Sequence, residues 1–494
     1  MTQAEIDALR SKLIMPQNHL IDGCNLPSED GGVTDVISPI NGQCITTVAA
    51  GTSGDAARAI QAARAAFEDR RWAGMPPAER KRILFKWADL IAAESLELAV
   101  LGVRDNGTEI AMAIKAEVGS AIGTLRYYAE ALDKIYGEIA PTGDTTLGLI
   151  HKAPVGVVAA IIPWNFPLMI GMWKLGPALA AGNSVVIKPP ESASLSMLRI
   201  CQLAHEAGLP PGVLNVVTGR GSVVGEALAT SMEVDVMAFT GSGPVGRRLL
   251  ENAARSNMKR CYLELGGKSP NIIFEDTADL AQAAKVSAGG IFRNSGQVCI
   301  AGSRLLVQEN IAEEFLVEMT ANAQAFQIGD PLDLTSHIGA VHSLSELEAN
   351  LDFVAQAEDE GAARRTGGAR ILADTGGYYM QPTIMTGVKP SHALFNNEVF
   401  GPVLAVTTFK DEEEALKLAN ATVYGLAAGV WTSNLSRAHR MVAGLRAGVV
   451  HVNTYGGADM TVPLGGVKQS GNGQDKSLHA LDKYYDLKTA WIQL

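Results

Sequence analysis

The chain has 494 residues, of which 47% are hydrophobic, 19% charged and 6% aromatic, with 51 Gly and five Cys. That length exceeds one ordinary core and predicts two or three domains, and the apolar fraction argues against a disordered chain. Forty-one Lys+Arg against 52 Asp+Glu give a formal net charge of −11 with no basic run, which argues against nucleic acid and anionic membrane as partners.

The first segment, MTQAEIDALRSKLIMPQNHL, carries acidic residues early and no long apolar stretch, unlike a secretory signal. Cys24, Cys44, Cys201, Cys261 and Cys299 are odd in number and contain no CxxC pair, so no disulfide framework is expected. Both features predict a cytoplasmic protein. The nine His show no HExxH pattern and no Cys/His set has zinc spacing, so no metal is expected.

The Gly/Pro/Thr-rich segment 137–154 interrupts the helix-to-strand rhythm and, with the C-terminal KTAWIQL, predicts a protruding ribbon plus a terminal strand. A second copy of the chain is the expected cover for such an exposed edge. Ala153 to Trp173 runs without a charge, but Pro163, Asn165 and Pro167 would break a membrane helix, so the stretch predicts a buried strand, 155–162, leading into a turn. Aliphatic runs at 183–190, 213–217 and 234–241 then alternate with helical patterns to Ala181 and over 194–208 and 245–256. Such alternation predicts parallel βαβ units with ligands at the carboxyl ends of the strands, in the loops 163–167, 188–191, 218–225 and 240–246. A further α/β region starts near residue 266.

Thr240-Gly241-Ser242-Gly243-Pro244-Val245-Gly246 sits at a strand-to-helix turn, and Gly219-Arg220-Gly221 with Gly225 in the preceding one. Glycines there let a phosphate approach a helix N-terminus, although neither stretch matches GxGxxG and a plain tight turn fits equally. Gly266-Gly267-Lys268-Ser269 is not a P-loop, because the motif's first glycine falls on Tyr262. Lys188 and Glu191, after a strand, suit ribose hydroxyls or simply a solvated turn. Cys299, in NSGQVCIAG, and Glu264, ending CYLEL, suit a thiol nucleophile and a general base, or else a small core residue and a buried ion-pair member. Asn165 between two prolines suits an oxyanion donor or a structural turn.

Together PWNFP (163–167), KPPE (188–191), FTGS (239–242), ELGGKSP (264–270), GQVC (296–299) and EVFGPV (398–403) resemble the aldehyde dehydrogenase superfamily over nearly the whole chain. The tail 465–484 looks most like the γ-glutamyl-γ-aminobutyraldehyde dehydrogenase subgroup. The resemblance implies an α/β fold: a Rossmann-like NAD-binding domain (1–133 and 155–265), an α/β catalytic domain (266–467), and a small β oligomerisation ribbon (134–154 and 478–494) in a homodimer or homotetramer. It makes Cys299 the nucleophile, Glu264 the base, Asn165 with the Cys299 N–H the oxyanion hole, and Lys174 a member of a proton relay. Ile161, Trp164, Lys188, Glu191, Gly221, Gly225, Gly241, Ser242, Glu398 and Phe400 would surround the cofactor, with Gly246 helping to keep the phosphate turn open. Acidic Glu191 favours NAD, with NADP possible. The other four cysteines read as packing residues.

The implied reaction oxidises an aldehyde to a carboxylate through a Cys299 thiohemiacetal and thioester, with an ω-amino-type aldehyde as the expected substrate. Trp173, Phe292 and Tyr455 are expected in the wall of the substrate tunnel, and Glu117 and Asp459 at its far end as anchors for an ammonium or guanidinium, or else as solvated surface acids. Val467 and Leu464 replace aromatic residues common in the family, which leaves the tunnel's shape open. The alternatives are a general aliphatic or betaine-aldehyde dehydrogenase and a catalytically silent binding or scaffold protein.

Overall fold

The aliphatic runs of the first half form a seven-stranded sheet in the computed structural model, which describes residues 1–457 and 459–494. Its order is Arg260–Glu264, Val236–Thr240, Val157–Ile161, Ser184–Lys188, Leu214–Val216, His19–Ile21, Cys24–Leu26. The first five strands are parallel and the last two join antiparallel. Val157–Ile161 and Ser184–Lys188 are buried at every residue, because helices cover both faces. That is why they read as unbroken aliphatic runs rather than alternating ones. From Val157–Ile161 the chain winds outward through Ser184–Lys188 and Leu214–Val216, then crosses back to Val236–Thr240 on the other side. This reversal opens a crevice at the strands' carboxyl ends, where the loops after Ile161 and Thr240 emerge.

The charge-free stretch at 153–173 resolves into strand Val157–Ile161 and the first half of helix Pro167–Ala180. Every helix residue except Met169 is buried, so its all-round apolarity reflects a position in the middle of the protein. Gly176 allows it to touch Tyr128, whose ring carbon would lie 2.9 Å from an added Cβ. Trp72 and Trp87 pin neighbouring helices through indole N–H bonds to the Leu179 and Ile200 carbonyls at 2.8 and 2.7 Å. Among the described residues no helix is long and apolar enough to cross a membrane.

The second sheet runs Ala363–Thr366, Thr383–Thr386, Val403–Phe409, Arg304–Gln308, Pro270–Ile273, Ala427–Trp431, Val449–Val452, parallel except for its first strand. A third sheet is antiparallel: Thr146–Pro154 lies between Glu138–Ala140 and the C-terminal Tyr485–Gln493, in a register joining Thr146 to Gln493 and Pro154 to Tyr485. It leaves Ile139, Leu487, Trp491 and Ile492 exposed.

Two sequence expectations need correction here. Cys201 and Cys261 are buried, but Cys24 and Cys44 are exposed, on a short edge strand and an outer hairpin, and so are not core residues. Phe292 is no wall residue: it is fully buried in the core between helices Leu280–Phe292 and Ala312–Ala325, edge-on to Phe326 with ring centroids 6.3 Å apart. Because Trp87 is fully buried and its N–H satisfies a helix carbonyl, Trp87→Ala is expected to cost about 3–5 kcal/mol, read as a lowered thermal midpoint.

Candidate active site

The two large sheets meet where strand Arg260–Glu264 ends and the backbone runs through Leu265–Ser269 into strand Pro270–Ile273. Glu264 closes the first strand at 5% exposure, and neither carboxylate oxygen has a hydrogen-bond partner among the described residues. Burial and the nearby Asp475 charge push its pKa well above the carboxylate range, against the lowering influence of Lys174 and Lys483. Cys299, half-buried, follows the kinked segment 293–297. Its thiol is pushed up to about 12 by burial and by the Glu398 and Glu264 carboxylates. The thiol and both acids thus share one electrostatic neighbourhood.

The approach to Cys299 is held in a conformation few residues adopt. Asn294, Ser295 and Gly296 have φ of 51°, 52° and 72°, and left-handed non-glycine backbone is sustained only where the surroundings fix it. Here the restraints come from distant segments. Thr108 donates its hydroxyl to the Asn294 side-chain oxygen, and Glu109 accepts the Asn294 N–H at 3.3 Å. The Gln297 amide accepts from the His342 N–H at 2.8 Å and donates to the Asn294 carbonyl at 3.0 Å. Asn165 donates its side-chain amide to the Gln297 carbonyl at 2.8 Å. One N–H of that amide therefore steadies the loop, leaving the second for an oxyanion.

Lys174 lies on the buried helix Pro167–Ala180, 1% exposed, and donates to Asp475 at 3.0 Å. Asp475 also accepts from Lys483, a second buried lysine. The sequence reading missed Asp475 and Lys483, and it missed Thr108, Glu109 and His342 as supports of the loop. No spacing links these positions, which meet only through the fold.

The expected cofactor residues gather around the crevice. Ile161 ends its strand against Gly225, whose added Cβ would sit 3.5 Å from the Ile161 side chain. Lys188 is buried, bonded to the Pro189 carbonyl at 3.1 Å and 3.8 Å from Glu191, which accepts the Gly221 N–H at 2.7 Å. Ser242 is the exposed N-cap of helix Gly243–Arg255, with no capping bond from its own side chain. A Cβ on Gly241 would meet Phe239 at 2.4 Å. Gly246, by contrast, is buried against Leu265 at 2.9 Å, so it serves helix-to-strand packing rather than the openness of the turn. Glu398 accepts the Gly267 N–H at 2.8 Å. Trp164 stands edge-on to Phe400 with centroids 5.4 Å apart and stacks on His342 at 4.2 Å. A helix N-terminus without a side-chain cap, a buried lysine, two acids and an open glycine rim fit a dinucleotide's phosphates and riboses.

The expected substrate residues divide. Trp173 is nearly buried, its ring beneath the Lys476 ammonium at 5.9 Å. Asp459 is exposed and feels the same Lys476 charge, while accepting from Thr461. Tyr455 is better described as a support than as a wall. Its hydroxyl donates to the Ile300 carbonyl at 2.9 Å, and Gly290, Gly302 and Gly429 crowd its ring so closely that an added Cβ would lie 2.8, 3.1 and 2.4 Å away.

Glu117 is neither a solvated acid nor a free anionic anchor. It is buried and accepts the Met169 N–H at 2.7 Å, capping the helix that carries Lys174. Burial raises its pKa to about 8, so it is mainly neutral at pH 7. A carboxyl raised above its unfolded value loses folding stability as pH climbs from the unfolded toward the folded pKa. Glu117→Gln keeps an acceptor for Met169, so its thermal midpoint is expected to fall less than the wild type's between about pH 5 and pH 8.

The aldehyde dehydrogenase family model matches residues 26–490. The NADP/NAD-dependent aldehyde dehydrogenase PuuC of Escherichia coli K12 is 49% identical, over 96% of this chain and 95% of its own. The crystal structure of a γ-glutamyl-γ-aminobutyraldehyde dehydrogenase from Burkholderia cenocepacia superposes with a TM-score of 0.98 at 46% identity, covering 100% of both chains. An indole-3-acetaldehyde dehydrogenase solved with NAD+ reaches 0.99 at 46% identity, again covering 100% of both. A family model that spans nearly the whole chain and relatives this similar over their full length show that the chain belongs to the aldehyde dehydrogenase family.

Proposed function

We propose that this enzyme oxidises an ω-amino-type aldehyde to its carboxylate with NAD(P), Cys299 serving as nucleophile, Glu264 as hydrolytic base and Asn165 as oxyanion donor. The observation that carries the chemistry is the buried, unpartnered Glu264 carboxyl beside the Cys299 thiol. The Cys299 thiol gives up its proton to solvent as its sulfur adds to the aldehyde carbon and the carbonyl π pair moves to oxygen, and the resulting oxyanion meets the Asn165 amide and the Cys299 N–H. Bound NAD(P) supplies the hydride acceptor and a cationic ring, which opposes the two carboxylates that hold the thiol protonated. Loss of hydride leaves a thioester on Cys299. Glu264 then takes a proton from water, and the hydroxide displaces the thiolate as the carboxylate leaves. Lys174, whose charge acts on Glu264, is the proposed member of a proton relay.

For the cofactor, Lys188 and Glu191 hold the adenosine ribose, Ser242 and the Gly221–Gly225 and Gly241 turns the pyrophosphate, and Glu398 the second ribose. Ile161, Trp164 and Phe400 flank the rings. Glu191 disfavours a 2′-phosphate, so NAD is preferred over NADP. The division into cofactor-binding, catalytic and ribbon parts draws support from the two seven-stranded sheets and the three-stranded one. The exposed apolar residues of the ribbon support a homo-oligomer, and the free cysteines a cytoplasmic location.

The amino-aldehyde reading draws on the PuuC and γ-glutamyl-γ-aminobutyraldehyde dehydrogenase likenesses and on the rim formed by Trp173 and Asp459. That rim already accommodates one ammonium, from Lys476. Ring and carboxylate together suit a substrate cation. The discriminating measurement is kcat/KM for γ-aminobutyraldehyde, its γ-glutamyl form, betaine aldehyde, indole-3-acetaldehyde and hexanal. The amino or γ-glutamyl substrate is expected to lead, and a preference for hexanal or the indole aldehyde would defeat the reading. Cys299→Ala is expected to retain NAD binding, seen by calorimetry, and to lose turnover. Because Glu264 must ionise to act and burial and Asp475 push its pKa well above the carboxylate range, the hydrolysis-limited rate is expected to rise with pH through a range above that of an ordinary carboxylate.

A further inference from the structure

Asp475 is gripped from two sides inside the protein. One carboxylate oxygen accepts from Lys174 at 3.0 Å and the other from Lys483 at 2.5 Å, with side-chain exposures of 1%, 1% and 5% for Asp475, Lys174 and Lys483. A single ammonium would already neutralise the aspartate, so the second is a surplus buried charge, which is costly unless another group balances it. The group at hand is Glu264. The segment carrying Asp475 lies along the end of the Glu264 strand: Glu264 bridges Gly471, the Asn472 side chain accepts the Leu263 N–H at 2.8 Å, and a Cβ on Gly473 would lie 3.6 Å from a Glu264 oxygen.

We propose that Lys483 is a positioning residue for acyl-enzyme hydrolysis: it leaves the Lys174–Asp475–Lys483 set with one net positive charge, which favours the ionised, proton-accepting form of Glu264. With Lys174 alone, Asp475 would form a neutral pair and Glu264 would face no net cation. Among the described residues, Tyr128 and Tyr484 also face Asp475, and the Cys299 thiol faces Glu264. Tyr128 donates to the Ser477 carbonyl, and the Tyr484 hydroxyl is buried with no hydrogen-bond partner among the described residues; burial holds both phenols above their ordinary pKa. As neutral phenols at physiological pH they supply no compensating charge. Once Glu264 is ionised, the four groups form one neutral buried unit in which each charge has a counterpart.

The inference rests on Glu264 being the hydrolytic base, and the experiment separates the two. The pH profiles of the pre-steady-state acylation burst and of thioester hydrolysis are measured for full-length wild type, Lys483→Met, Lys483→Arg, Asp475→Asn and Glu264→Gln. Lys483→Met is expected to move the acidic limb of hydrolysis up by about one pH unit, a roughly tenfold loss near neutrality, while acylation is unchanged. Lys483→Arg should keep the wild-type limb. Asp475→Asn leaves two ammoniums and should move the limb the opposite way, a readout that stands even if Lys483→Met does not fold. An equal loss at every pH in Lys483→Met, or an unmoved or raised limb in Asp475→Asn, would overturn the role of Lys483. A hydrolysis limb that persists in Glu264→Gln would instead overturn the base assignment.

Discussion

Glu264 ends a strand beneath the junction of two sheets, and its carboxyl group receives no hydrogen bond among the described residues. An isolated ionised carboxylate in such a place costs several kcal/mol, a large part of the 5–15 kcal/mol by which a domain is typically stable. The protein neither neutralises it with a bidentate arginine nor exposes it. Two buried lysines and an aspartate stand nearby instead, so the acid remains a base that can lose and regain its proton. Satisfying Glu264 completely would make the local structure more stable and the site inert.

The same balance governs the thiol. Burial and the neighbouring acids disfavour the ionised form of Cys299, so the thiol is held protonated, and the nucleophilic role proposed for it belongs to the loaded enzyme. Its position is fixed by strain. Consecutive left-handed residues at Asn294 and Ser295 cost on the order of 1–3 kcal/mol each, and they persist because Thr108 and Glu109, Asn165, and His342 hold that loop from three separate segments. Tyr455 props its far side through the Ile300 carbonyl. The scaffold thus sets the geometry of the loop, while the proposed proton transfers fall to the charge balance.

Much of this was legible in the chain, for identifiable reasons. Val157–Ile161 and Ser184–Lys188 announced themselves because a strand covered on both faces must be aliphatic throughout. Residues 137–154 and the last seven residues read as ribbon and strand, and the structure pairs them in one sheet. The strands at 19–26 stayed silent because three-residue edge strands carry no periodicity. Side-chain type named candidates without their direction. Phe292 is as aromatic as Trp173 but faces a core, and Glu117 is as acidic as Asp459 but caps a helix. Asp475 and Lys483 lay unnoticed in the tail because a charge network built from three segments leaves no pattern in any one of them.

The central claim is that Cys299 carries the acyl group and Glu264 releases it. The most direct test mixes Glu264→Gln with saturating NAD and aldehyde, quenches in acid, and measures intact and peptide masses. An acyl adduct on the Cys299 peptide, approaching one per chain and formed with one equivalent of NADH, is the expected result. Steady turnover without an adduct, or an adduct on another residue, would contradict it.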